Sequence, residues 1–518
     1  MSKISRRKYL KHSGLAALGA SVAGSPLNAQ DRPPNIVYIL TDDQHFNTMG
    51  CYGGNVLTPH IDGLARDGMR FTRAYANSSV CVPCRYSTLT GRYAGRCSHS
   101  DYLSQYPPGT LGRMSNHCIS LERDGLNLPS VLQNQGYATG IVGKWHLGPL
   151  IHSRMGNSPQ DFGLQELDPD SDPEDPVIAA ALQQNQERIC DIVKECGFDY
   201  ASGMYWANLK EVGNKQLNMH NIDWTVKNAN EFLDNYHKQP FFLYFSTTMH
   251  HGPPPQKSVF ENDRITGEGI APNRFEMMPT RESIRSRLRD AGLPEETAYC
   301  TWLDDAVGAL LNKLEELGVA DNTLVVYNSD HGTTLKSSLY EGGVHIPLIM
   351  RWPGHIQAGS ECDTLVQNID FAQTFIDISG ATPPPEMPLD GISLKPLIEG
   401  TNDLSRKSLY FEIGYARAVC TEDWKYIAVR YPADIQRQLD SGNLKVPPDY
   451  ITNKGLSKRA QANPNYFAQD QLFDLRNDPR ELNNLAENPK YTDKVRDMRV
   501  LLGEYLQSFP DRPFGEFA

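Results

Sequence analysis

The stretch CVPCRYSTLTGR, residues 81–92, sets Cys81 and Cys84 three positions apart around Pro83, at the head of a Ser- and Thr-rich segment that reads as a helix. Such a pair can serve as a redox couple, close a disulfide or supply half of a metal site. No second Cys-x-x-Cys and no His pair at zinc-ligand spacing accompanies it, which argues against a zinc ribbon. Four further clusters carry ionisable residues: Asp42 and Asp43 in TDDQ, Lys144 and His146 in GKWHLG, His250 and His251 in MHHGP, and Asp330 and His331 in NSDHG. Neighbouring carboxylates repel one another without a cation, so the Asp pair points to a metal. Each cluster alone has an ordinary alternative, a helix-capping Asp or a satisfied surface His; their recurrence points to one shared site.

Every one of these clusters ends a strand-like run. NIVYIL (35–40) leads into TDDQ, ATGIVGKW (138–145) into HLG, FFLYFSTT (241–248) into MHHGP, and TLVVYNSD (323–330) into HG. The runs are β-branched and aromatic, as buried parallel strands are. Between the last two, EETAYCTWLDDAVGALLNKLEELG spaces Trp302, Leu303, Val307, Leu310, Leu311, Leu314 and Leu317 on a helical period and stops at Gly318. The alternation predicts an α/β fold, a large mostly parallel sheet flanked by helices. In such sheets ligands bind beyond the carboxyl ends of the strands, where the clusters stand.

Two segments interrupt the pattern. Residues 149 to about 196 include the Pro- and Asp-rich QELDPDSDPEDP, a stretch that reads as a solvated loop, and residues 252 to about 290, beginning GPPPQ, read as a long excursion that shapes a pocket. After ATPPPEMPLDG (381–391), the segments SLYFEI, AVCTEDWKYIAV and FDLRNDP and a helix near 491–509 predict a smaller C-terminal α+β domain. The expected division is 30–400 for the catalytic part and 401–518 for this domain.

The 518 residues, 39% hydrophobic and 22% charged, can bury a large core. A formal charge of -12 argues against nucleic acid as a partner. Residues 1–29 read as a twin-arginine export signal: Arg6 and Arg7 precede a short apolar run from Gly14 to Gly24, and LNAQ offers a cleavage point after Ala29. That run is shorter than the roughly 20 residues a membrane helix needs, so no stable anchor is expected and the mature protein is placed in the periplasm or outside the cell. In such a compartment some of the dispersed cysteines could pair, Cys190 and Cys196 being nearest in sequence.

CVPCRYSTLTGR fits Cys-x-Pro-x-Arg followed by Leu-Thr-Gly, and here the chain resembles the formylglycine-dependent type I sulfatases of the alkaline-phosphatase-like superfamily. NIVYILTDDQ, GYATGIVGKWHLG, PFFLYFSTTMHHGP, LDDAVGALL, NSDHG, KSSLYEGGVHIPLIMRWPG, LDGISLKPLIEG and QLFDLRNDPRELNNLA extend the resemblance over nearly the whole mature chain.

The resemblance implies a mechanism. Hydrolysis of a sulfate monoester builds negative charge on the departing oxygen, which calls for cations, a nucleophile and an acid. By resemblance, Cys81 is converted to formylglycine by a maturation enzyme; one hydroxyl of its hydrate attacks sulfur, and the other lets sulfate be expelled. Asp42, Asp43, Asp330 and His331 are implied ligands of Ca²⁺, a hard ion suited to carboxylates, with His331 at a position that is often Asn. Arg85 is implied to hold the nucleophile, Lys144 and Lys336 to neutralise sulfate oxygens, His146 to hydrogen-bond the diol, and His251, rather than His250, to protonate the leaving oxygen.

The chain departs from the family pattern at Cys84, usually Ser, and at His345 and Cys420, where Arg is common. A formylglycine-dependent phosphonate monoester or phosphodiester hydrolase is the main alternative; a thiol–disulfide oxidoreductase would leave the Asp and His clusters unexplained. Resemblance to secreted microbial sulfatases implies a sulfated poly- or oligosaccharide substrate.

Overall fold

The strand Asn35–Thr41 is apolar on both faces: Ile36, Tyr38 and Leu40 enter one hydrophobic cluster and Val37 and Ile39 the other. Such a strand belongs in the middle of a sheet covered on both sides. It pairs in parallel with Phe241–Ser246 and with Thr323–Ser329. Ala138–Lys144 extends the sheet in parallel beyond Phe241–Ser246, and Tyr200–Tyr205 forms that edge. On the other side His345–Arg351 runs antiparallel to both Thr323–Ser329 and Met69–Tyr75, while Ser360–Cys362 and Val366–Gln367 pair in parallel with Met69–Tyr75.

The computed structural model therefore contains a nine-stranded mixed sheet flanked by helices, the α/β architecture that the sequence predicts. The structure describes residues 32–110, 119–148, 158–401, 404, 406–444, 462–509 and 517. The export-signal reading of residues 1–29 lies outside them, as does Cys118. Among the described residues no helix is long and apolar enough to cross a membrane.

The amphipathic pattern ahead of Gly318 forms the helix Ala298–Glu316, and Gly318 takes φ +67 just beyond it. The solvated-loop reading of QELDPDSDPEDP agrees with the structure as far as residue 175, but the interruption that contains it is not all loop. Residues 176–194 form a long helix, capped by Asp175, whose side chain accepts the N–H groups of Val177 and Ile178, with Pro176 as first residue. Part of the acidic, Pro-rich composition that looked like solvated loop is thus a helix start, and Leu182, Ile192 and Val193 bury the helix's inner side. Residues 165–175 remain irregular. The excursion after residue 252 holds a short hairpin, Ile265–Thr266 with Gly269–Ile270, and the helix Arg281–Asp290.

Leu409–Ile413, Ala416–Cys420, Trp424–Val429 and Asp470–Asp474 form a four-stranded antiparallel sheet. One face packs Tyr410, Val419, Tyr426 and Leu472 against Val495, Met498 and Leu502 of the helix Thr492–Gln507; the other packs Leu409, Phe411 and Ala418 against Tyr75, Val80, Leu339 and Tyr340 of the main body.

A buried ionic junction reinforces the second contact. Lys425 Nζ lies 2.6 Å from Glu341 Oε1 and 3.0 Å from Glu481 Oε1, and Nδ1 of His345 lies 3.7 Å from Glu341 Oε2. Buried Cys420 lies in the electrostatic reach of the same Lys425 and glutamates, so two departures from the family pattern fall in one packing interface. Lys425→Met, which leaves buried Glu481 and half-buried Glu341 without their cation, is expected to cost about 3 kcal/mol in denaturant unfolding. Burial pushes the Glu481 carboxyl up from 4.5, and the pull of Lys425 leaves it at about 7. A carboxyl raised by folding favours the folded chain most below 4.5 and loses that contribution as pH climbs through about 7. Stability against pH should show this downward slope, and Glu481→Gln should remove it.

Candidate active site

Register brings the carboxylates together. Thr41 pairs with Ser329, so the residues that follow, Asp42 and Asp330, leave adjacent strands side by side. Asp43 turns into the left-handed region at φ 57, and its N–H donates to Asp330 Oδ1 at 3.2 Å. His331 Nδ1 donates to the carbonyl of Gly332 at 2.9 Å, and Nε2 lies 3.1 Å from Asp43 Oδ1 and 3.6 Å from Asp330 Oδ1.

Lys144 depends on a glycine. A bulge falls between Val142 and Gly143, where φ is +91 and a Cβ would lie 1.9 Å from the carbonyl oxygen of Ser246. The ammonium of Lys144 then meets Asp42 Oδ2 and, at 2.9 Å, Asn208 Oδ1.

Cys81 is the first residue of the fully buried helix Cys81–Thr90. Its Sγ lies 3.5 Å from Asp42 Oδ1, 3.4 Å from His331 Nε2, and 3.9 Å from Nζ of both Lys144 and Lys336. Cys84 points elsewhere and donates to the carbonyl of Ser78 at 2.8 Å; both are free thiols. Burial, followed by Asp42 beside Cys81 and Asp330 beside Cys84, pushes both thiols well above the ordinary range, the opposite of a reactive redox pair. Neither the redox nor the disulfide reading of this pair is supported. Cys190 and Cys196 are unbonded to each other as well.

Arg85 spans the site with no exposed surface. It lies 3.2 Å from Asp330 Oδ2 and 3.4 Å from Asp42 Oδ2, and donates to Ser246 Oγ at 2.5 Å. Lys336 Nζ donates to both oxygens of Asp43, at 2.7 and 2.9 Å. Burial alone would raise the Asp42 carboxyl, but Lys144, His251 and Arg85 outweigh it and hold it well below the usual range. Asp43 is lowered similarly, burial being opposed by Lys336 and His331.

The histidines divide. A ring nitrogen of His251 lies within 4.8 Å of a carboxylate oxygen of each of Asp42 and Asp43. His250 instead packs edge-on against Tyr299 at 5.0 Å, and neither of its ring nitrogens has a hydrogen-bond partner. His146, at φ 58, keeps Nδ1 buried without a partner; burial, then Lys144 and Arg85, depress its pKa, so it sits in the field of the same cations. The ten residues read from the sequence as catalytic or metal-binding thus converge on one locus.

Asn208, Ser246 and His220 escape the sequence reading. Asn208 follows Tyr200–Tyr205, an edge strand interrupted by Ser202 and Gly203 that lacks a buried apolar run. Ser246 bridges Arg85 to the carbonyl of Lys144, to which it donates at 2.7 Å. Asn208→Ala frees the Lys144 ammonium on one side, and steady-state assays should show kcat lower by about tenfold.

Three cations, Arg85, Lys144 and Lys336, face three carboxylates, Asp42, Asp43 and Asp330, with Arg85 and Lys336 at 2.7–3.4 Å from their partners and Lys144 paired to Asp42. Nε2 of His331 lies among these carboxylate oxygens, and a neutral ring donating from Nδ1 would meet them as acceptor against acceptor, a contact that a cation among them would satisfy. This hard donor set fits Ca²⁺ and would leave the locus net positive, ready for an anion.

Sheet, helix and strand-end cluster define an α/β protein with its ionisable site beyond the carboxyl ends of the central strands. The family model Sulfatase matches residues 34–381 and a model for the C-terminal part of N-sulphoglucosamine sulphohydrolase matches residues 329–444, and the chain belongs to the sulfatase family. An N-acetylglucosamine-6-O-sulfatase of Bacteroides thetaiotaomicron is 25% identical, the alignment covering 96% of this chain and 90% of that protein. Arylsulfatase A of Homo sapiens is 29% identical over 94% of this chain and 90% of its own. A solved structure of a protein in complex with its substrate D-glucosamine-2-N,6-O-disulfate shares the fold at a TM-score of 0.59 and 22% identity, covering 93% of this chain and 99% of that one.

Proposed function

We propose that this sulfatase removes sulfate from a sulfated carbohydrate at a formylglycine made from Cys81, with Ca²⁺ held by Asp42, Asp43, Asp330 and His331. The observation that carries the reading is the position of Cys81 Sγ, 3.4–3.5 Å from His331 and Asp42 and 3.9 Å from the two lysines. A nucleophile there touches the metal ligands and the anion-binding cations at once. Bound calcium would supply positive charge against the sulfate, and the hydrated aldehyde would supply the attacking hydroxyl.

The chain's own residues do the rest. Lys144 and Lys336 flank the nucleophile and take up charge on the sulfate oxygens. Arg85 locks Asp42 and Asp330 in place, His146 offers Nδ1 to the nucleophile, and His251 donates a proton to the leaving oxygen. The carbohydrate reading rests on relatives named for N-acetylglucosamine and N-acetylgalactosamine 6-sulfates. Export through the twin-arginine machinery, a periplasmic or secreted location, maturation by a formylglycine-generating enzyme and the division at residue 400 belong to the same proposal.

The test uses protein co-expressed with a formylglycine-generating enzyme. The peptide carrying Cys81 should be lighter than the unmodified cysteine form by about 18 Da, and sulfate release should be fastest from sulfated amino sugars. Steroid sulfate cleaved with no sulfated sugar turned over would overturn the carbohydrate reading; phosphodiester turnover without sulfatase activity would overturn the reaction.

A further inference from the structure

We propose that His220 is a positioning residue that holds the loop of His251, and so fixes the aim of the proton donor. This rests on the reading of His251 as the acid.

His220 is 2% exposed and its ring is fully engaged. Nε2 lies 2.9 Å from the carbonyl oxygen of His251 and 2.9 Å from that of Pro253, and Nδ1 lies 2.8 Å from Thr248 Oγ1. Two carbonyls can only accept, so Nε2 carries the hydrogen and Nδ1 accepts from the threonine hydroxyl. One neutral imidazole thereby ties Thr248, His251 and Pro253, the beginning, middle and end of the segment that presents His251. Burial lowers its pKa to about 4, so the ring stays in this neutral form at the pH of assay and is not itself the acid.

The clamp is anchored from behind. The backbone N–H of His220 donates to Ser258 Oγ at 3.1 Å, and the next residue, Asn221, caps the helix Ile222–Tyr236 by accepting the N–H of Trp224. Arg281 donates to Asn221 Oδ1 at 2.8 Å and pairs with Asp223 at 2.7 Å, with Trp302 Nε1 also donating to Asp223. His251, by contrast, has its described ring hydrogen bond within its own loop, Nδ1 to the carbonyl of Gly252 at 3.1 Å. Its ring direction therefore follows the backbone that His220 grips, and a proton donor displaced by a fraction of an ångström loses much of its effect.

A misaimed acid has a signature that general loosening lacks: the loss grows with the basicity of the leaving oxygen. Wild type, His251→Ala, His220→Ala, His220→Gln and Thr248→Val, all matured, would be assayed on 4-nitrophenyl sulfate and on phenyl sulfate, whose leaving oxygen is far more basic. For His220→Ala, kcat should fall about 100-fold on phenyl sulfate and less than about tenfold on 4-nitrophenyl sulfate, with KM little changed. His220→Gln, which keeps an N–H donor, should recover part of the loss. If His220→Ala does not fold, Thr248→Val, which frees only the Nδ1 end, should show the same selectivity at smaller size. Equal losses on both esters in the His220 and Thr248 variants, beside a selective His251→Ala, overturn the positioning role. A nonselective His251→Ala overturns the acid assignment, and the positioning role with it.

Discussion

Cys81→Ala should abolish turnover, lowering kcat by at least about 10⁴-fold, while leaving the fold intact. The side chain is buried at the start of a buried helix, but alanine removes only the thiol, and the helix keeps its packing through Val82, Tyr86 and Leu89. Cys81→Ser should fail almost as completely. A serine could be sulfated by the substrate, but it has no second hydroxyl to expel the sulfate, so one burst of alcohol release should be followed by arrest. Stopped-flow release of 4-nitrophenol from 4-nitrophenyl sulfate separates the two: no burst for Ala, a single burst for Ser. Sustained turnover by the Ala variant would remove Cys81 from the mechanism. Cys84→Ser, in contrast, should be active, because Cys84 bonds to Ser78 and not to the site.

Arg85→Met should cost about 3–5 kcal/mol of stability and most of the activity. The guanidinium is fully buried, and its removal leaves Asp42 and Asp330, at 3.4 and 3.2 Å from it, short of one positive charge. The loss should be partly recovered by millimolar Ca²⁺ in a thermal melt, since a divalent ion among the same carboxylates restores the missing charge and binds only the folded chain. Chelator should deepen the defect. A melt indifferent to Ca²⁺ in both wild type and variant would argue that Asp42, Asp43, Asp330 and His331 are not a calcium site.

Seven of the ten candidate residues, Asp42, Asp43, Lys144, His146, His251, Asp330 and His331, stand out because strand ends are legible; Cys81, Arg85 and Lys336 lie on a helix and a loop and come from the family resemblance. Runs such as NIVYIL and TLVVYNS are apolar on every side, so they declare a two-sided sheet, and polar residues directly after them must emerge at its rim. The helix after Asp175 is hidden for the opposite reason. A capping aspartate, a first-turn proline and a loop share the same composition, and only the packing of Leu182, Ile192 and Val193 reveals the helix that follows.

The choice of His251 over His250 comes from the resemblance, through the Gly-Pro that follows it; the fold separates the two rings, one packing on Tyr299 and the other lying within 4.8 Å of Asp42 and Asp43. His220 carries no signal at all. It is a lone histidine in GNKQLNMHN, and its three partners lie 28 to 33 residues away.

By itself the sequence determined the layers of the fold, the strands at its centre and the residue types delivered to their carboxyl ends, because hydrophobic periodicity and turn chemistry are local. Tertiary structure alone decided that Asn208 would brace Lys144, that Ser246 would bridge Arg85, that His220 would grip the loop of His251, and that His345 and Cys420 would share the Lys425 junction. Each of these is a contact between segments distant in the chain. Hydrogen-bond direction and burial select such partners only after the strands have taken their register.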